Sequence, residues 1–289
     1  MGCGIGCGVI ILVAVVLGVS AVLYTKNMMK GFDEAITTRQ ELVAQYGQVR
    51  EFVPAPDGSI PADRMQVFLA VRDSLGPQRE LITATFESFA VAGREIEAET
   101  SGFKKFIRGL QIGKSGLGVG RDLGEFYQIR NRVLLESGMG LGEYTYIYVL
   151  GYYSLLGHAP DDGPDKVFEE FEAEHRDDEG PHWQTSLEDD EDPFPRIRRD
   201  LIAMLKNQLA ALPPEGEDPA LESWRQELAA EIAALDDDPQ RGIWPDGLPA
   251  AIQTSLEPYR DRLEASYSPV LNVLELSRNR RQGWSIKGE

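Results

Sequence analysis

Acid–base chemistry needs a carboxyl or a phenol whose proton can be moved, and the stretch 140–157, GLGEYTYIYVLGYYSLLG, offers both. Its one formal charge is Glu143, and five tyrosines share the segment. Glu143, Tyr144 and Tyr146 are the candidate catalytic residues, with the carboxyl exchanging a proton with a neighbouring phenol. The same side chains also suit a satisfied internal network. Burial raises the pKa of a carboxyl whether or not it reacts, and a buried tyrosine needs a hydrogen-bond partner in either case. The network reading is the one carried forward, with acid–base catalysis as its alternative.

Metal chemistry has a thinner basis. The chain has three histidines, His158, His175 and His182. Glu172 and His175 have the Glu-x-x-His spacing that di-iron carboxylate sites use twice, together with two further glutamates from other helices. The second match, Glu179 and His182, spans Gly180-Pro181 and so straddles a helix breaker. The set is half a site, so no metal is assigned, and the acidic run 169–192 reads as a loose collector of divalent cations, with cation sensing as a third reading of function.

Other catalytic signatures are missing. There is no His-Glu-x-x-His, no Gly-x-Ser-x-Gly and no Cys-x-x-Cys. Residues 109–120, GLQIGKSGLGVG, contain Gly-Lys-Ser, but a phosphate loop needs glycine at 108, where Arg108 stands, and a preceding apolar strand. The glycine run reads as an elbow between helices, and no cofactor is expected. Both cysteines, Cys3 and Cys7, lie in the first seven residues, so the body has neither disulfides nor thiol nucleophiles.

The elements that would position these side chains are helices throughout. Phe32, Ile36, Leu42, Val43, Tyr46 and Val49 keep helical spacing, as a stalk. Ser59 and Pro61 announce a helix carrying Met65, Phe68, Leu69, Arg72 and Leu75 on one stripe. A second helix after Gly76-Pro77 buries Phe86, Phe89 and Ile96, and a third runs through 121–137. The stretch 140–157 is apolar all round, the mark of a helix enclosed on every side. Tyr144, Tyr148 and Tyr152 fall on one stripe, and Gly138, Gly140, Gly142 and Gly151 admit close neighbours. It is not read as a membrane span, because a charge at bilayer depth is costly and tyrosine belongs at interfaces. Beyond an acidic, breaker-rich region at 160–195, helices follow at 195–213 and 220–236. A last one runs to Leu276, divided by Pro258 and Pro269. The expected fold is all-α, with 31–159 and 196–289 packing as one domain around the tyrosine-rich helix.

Residues 8–24, GVIILVAVVLGVSAVLY, are uncharged, and extended back through Ile5 they approach the length that spans a bilayer. No basic n-region precedes them and no small-residue cleavage site ends them, which favours an uncleaved anchor over a signal peptide. Residues 1–30 are therefore read as a Gly/Cys cap and a single transmembrane anchor at 5–24. Gly2 and Cys3 hint at acylation, although Gly6 stands where myristoylation wants Ser or Thr. Lys26 and Lys30 argue for a cytoplasmic body by the positive-inside rule. Long domains after an N-terminal anchor are translocated largely regardless of charge, and the reading taken is an extracytoplasmic body.

The chain has 289 residues and a net charge of −18, and the residues beyond 30 carry −20. Such a field repels nucleic acid and anionic surfaces. No nucleic-acid partner is expected. The function read from these features is a membrane-anchored binding or scaffold module of the cell envelope. Its partner would be a protein, or a small apolar ligand in a groove beside the tyrosine-rich helix.

Overall fold

The computed structural model describes residues 34–93, 114–160, 162–163, 193–214 and 219–276. Among them the chain is helical, with no strand. The expected anchor at 5–24, Cys3 and Cys7, and the Glu172 and His175 pair lie outside the described residues. Among the described residues no helix is long and apolar enough to cross a membrane, the stretch at 140–157 included.

Helix α1 covers residues 34–46 and leads to a 3-10 turn, Val49–Glu51. The expected stalk differs from what is found here. Ala35 and Leu42 are buried, and the Asn131 side chain donates to the Ala35 carbonyl at 3.0 Å. The described part of this helix thus packs into the domain instead of standing clear of it. Helix α2 is Ala62–Ser74 and α3 is Gly76–Gly93, with Leu75 alone between them. The apolar stripe expected on α2 is present: Met65, Phe68, Leu69, Arg72 and Leu75 are all fully buried. Of the side chains expected to be buried on α3, Phe86, Phe89 and Ile96 lie outside the described side chains.

Helix α4 is Lys114–Glu136. The glycines at 116, 118 and 120 therefore lie within a helix and not in an elbow, a correction to the expectation from sequence: glycine weakens a helix by about 1 kcal/mol per residue but does not forbid one. Helix α4 ends in a Schellman turn. Gly138 has φ +67°, its N–H donates to the Leu135 carbonyl at 3.2 Å, and that of Met139 donates to Leu134 at 3.0 Å. The chain then re-enters at Gly140 into α5, Leu141–Tyr148, which continues directly as a π-helix, Val149–Leu155.

This central rod lies against α2 and the 3-10 turn on one side. The close approach explains its glycines. A Cβ on Gly142 would stand 2.5 Å from Cβ of Phe52 and 2.7 Å from the Val49 carbonyl, and one on Gly140 would stand 2.8 Å from Cβ of Tyr46.

Helices α6, Pro193–Ala211, and α7, Pro219–Asp237, pack on each other. Of the faces that helical spacing indicates, Ile197, Leu201, Met204 and Leu205 on α6 and Trp224, Leu228 and Ile232 on α7 are buried, while Leu209 on α6 is half-buried. The final helical stretch is divided where its prolines lie. Helix α8, Ala250–Leu256, passes through a 3-10 turn, Glu257–Tyr259, into α9, Arg260–Ser266, and after Tyr267-Ser268 comes α10, Pro269–Glu275. Helix α9 packs on α2 and on the π-helix, and α10 packs on α3. The last helix thus returns the chain to elements laid down near residue 70.

Candidate functional site

The most charged place in the interior is built on the apolar stripe of α2. Arg72 occupies a position whose neighbours one turn away, Phe68, Leu69 and Leu75, are core residues. Its Nη1 meets Oε1 of Glu275 from α10, and both side chains are 0% exposed. Nη1 also donates to the Tyr144 hydroxyl at 3.1 Å, and Nη2 to the Ser266 carbonyl at the end of α9. The Tyr144 hydroxyl donates in turn to Oε1 of Glu275. The guanidinium lies 5.3 Å from the Tyr148 ring centre and 5.2 Å from that of Tyr152, so aromatic faces take up charge that water would otherwise solvate.

Three tyrosines spaced by four can all face Arg72 because the rod changes its winding. In an α-helix a step of four overshoots one turn of 3.6 residues, so side chains drift in one sense. In the wider i→i+5 turn the same step falls short, and the drift reverses. Tyr144 to Tyr148 is an α step and Tyr148 to Tyr152 a π step, and the ring centres lie 6.2 and 4.5 Å apart.

Arg130 of α4 is buried as well. It donates to the Glu275 carbonyl and, at 3.2 and 3.0 Å, to Oδ1 of Asn131, and it lies 5.1 Å from the Tyr127 ring centre. Arg196 of α6 donates to the Leu276 carbonyl at 3.0 Å. Two arginines thus cap the carbonyl end of α10, where the helix dipole is negative, and Arg72 holds its terminal carboxylate.

Burial sets the electrostatics. It pushes the Tyr144 phenol above its usual pKa, with Arg72 pulling the other way, and it raises Tyr146 and Tyr148 as well. It holds the Arg130 guanidinium below its usual value. A cavity of about 20 Å³ lies between Arg39, Arg130, Tyr144, Thr145 and Glu275. That is room for about one water, far below the hundreds of Å³ that an organic ligand fills.

The candidates Glu143, Tyr144 and Tyr146 share one turn of α5 but are not brought together. Successive residues of a helix point about 100° apart, and each finds its own partner. Both oxygens of Glu143 accept from Arg64, through Nε and Nη2 at 2.6 Å each, and Nη2 also reaches the Gly138 carbonyl at 3.0 Å. This bond raises the Arg64 pKa. Tyr144 faces Arg72 and Glu275, and the Tyr146 hydroxyl donates to the Gly58 carbonyl at 3.2 Å. Among the described residues no group of three or more His, Cys, Asp or Glu could hold a metal ion.

Sequence reasoning places Arg72 on the buried stripe and Tyr144, Tyr148 and Tyr152 on one face. It does not find Glu275 or Arg130. The one available signal is Arg72 itself, since a charge among core positions requires a buried counter-charge somewhere in the chain. Nothing local to Glu275 marks it as that partner. No family model, no curated protein and no solved structure matches this chain.

Proposed function

We propose that this chain is a single-pass membrane-anchored helical module, tethered through residues 5–24, whose domain binds a protein partner of the cell envelope on its outer surface. The observation that carries the reading is where the reactive groups go. Glu143 is bound at both oxygens by Arg64, Tyr144 by Arg72 and Glu275, and Tyr146 by Gly58, so each is engaged in holding one element to another. The flanks of the tyrosine-rich rod are filled by Tyr46, Phe52 and Leu263. This favours a protein surface over a small apolar ligand beside that rod. Val53 and Leu81 are large apolar side chains left 46% and 48% exposed, and they offer contact points.

The test has two arms. Full-length protein should stay with membranes through alkaline carbonate, and a chain begun at residue 31 should not. Recovery of the full-length protein in the soluble fraction removes the anchor. Photo-crosslinkers placed at Val53 and at Leu81 should give a discrete adduct in cells from at least one of the two positions. Absence of any adduct from both positions counts against the binding module. Reporters fused to the C-terminus, one active only outside the cytoplasm and one only inside, fix the side of the membrane.

A further inference from the structure

The rod leaves the α-helix in the middle of the core, where two of its side chains converge on one residue of a distant element. Tyr148 and Tyr153 both donate to Oδ1 of Asn272, at 3.0 and 2.9 Å. In an α-helix of 3.6 residues per turn, positions five apart diverge by about 140°. Two such phenols would face away from a common acceptor. An i→i+5 turn stacks them on one side, and this is the segment where the helix is π.

Asn272 is fully buried on α10. Its Nδ2 donates to the carbonyls of Ala159, Pro160 and Asp162 at 3.2, 3.2 and 2.9 Å. The orientation of the amide is fixed by its partners, because carbonyls only accept while phenols can donate. A single side chain therefore joins the π-helix, the backbone carbonyls of Ala159, Pro160 and Asp162, and the helix clamped by Arg72, Arg130 and Arg196.

We propose that the docking of α10 through Asn272 sets the hydrogen-bond register of the central rod. Docked, the rod is π over 149–155. With Asn272 withdrawn, the two phenols lose their common acceptor, and the commoner i→i+4 ladder takes over. The change displaces the register by one residue beyond Tyr153, which turns residues 154–158 by about 100°. It carries Ser154 away from the Ile243 carbonyl, now at 2.8 Å, and His158 away from the Tyr267 ring, on which it stacks at 3.7 Å between centres. The position of α10 is thereby read out on the face of 154–158. This is a two-state element of the kind that couples distant surfaces.

The experiment is hydrogen-bond scalar coupling by NMR on the deuterated, detergent-solubilised full chain. In the parent, the Leu156 amide couples to the Gly151 carbonyl, matching the 3.1 Å bond between them. In Asn272→Ala the coupling should move to the carbonyl of Tyr152. A folded Asn272→Ala protein that keeps the Leu156–Gly151 coupling overturns the proposal. Should that variant not fold, Tyr153→Phe decides, since it removes one donor from a half-buried position. There the Leu156–Gly151 coupling should weaken at least twofold, and an unchanged coupling overturns the proposal equally.

Discussion

Arg72 and Glu275 stand 203 residues apart in the chain and meet in the interior with neither side chain exposed. Removing one partner strands a charge in a medium that cannot solvate it, at a cost of about 3–5 kcal/mol. Arg72→Met and Glu275→Gln should each lower stability by about that amount. Arg72→Met combined with Glu275→Leu should recover most of it, because two apolar side chains leave no charge to desolvate. Urea unfolding of the three variants checks this, and a double variant as unstable as the singles would count against the pair as the origin of the loss.

The Arg64–Glu143 pair is the contrasting case. Its side chains are 25% and 17% exposed, and water already shares their solvation. Glu143→Gln should cost about 1 kcal/mol or less. A loss as large as that of Glu275→Gln, measured by the same unfolding curves, would show that Glu143 does more than tie α5 to α2.

Gly142 lies where backbone and side chain of a neighbouring segment leave no room for a methyl group. Gly142→Ala must push Phe52 and the Val49 carbonyl away, which places it among overpacking substitutions at about 1–3 kcal/mol. Ordinarily Gly→Ala in a helix stabilises by up to about 1 kcal/mol, so the sign of the change is the discriminating result. A rise in the urea midpoint would contradict the packing described for α5.

Burial raises the folded-state pKa of Tyr144, Tyr146 and Tyr148. The unfolded chain then releases these protons first, near pH 10, while the folded chain keeps them. Their contribution is complete below about pH 10 and is lost as pH climbs above it. Stability should fall by about 1.4 kcal/mol per pH unit for each such phenol in that range. Tyr146→Phe should remove one phenol's share of the slope between about pH 10 and 11 in urea unfolding monitored by circular dichroism. An identical slope in parent and variant would show that Tyr146 titrates alike in both states.

The helices were legible because burial on one face imposes a period, and α2, α6 and α7 carry it plainly. The division of the last stretch was legible too, since proline removes the donor that a continuous helix requires. The site was half legible. Tyr144, Tyr148 and Tyr152 succeed one another at a fixed step, but Glu275 and Asn272 become meaningful only when α10 folds back onto α2 and the rod. The π turn was invisible for the same reason. It is imposed by an acceptor more than a hundred residues away, and the local sequence of 149–155 reads equally well as α. The glycines of 114–120 misled in the opposite sense, marking an elbow where the backbone runs on as helix.

The charge on Arg72 also has a history in time. A ribosome adding 5–20 residues per second needs roughly 10–40 s to travel from Arg72 to Glu275. Throughout that interval the Arg72 guanidinium lacks its carboxylate, although Tyr144, Tyr148 and Tyr152, which also meet it, are made well before Glu275. Closure of the Arg72–Glu275 pair is thus an event at the end of synthesis.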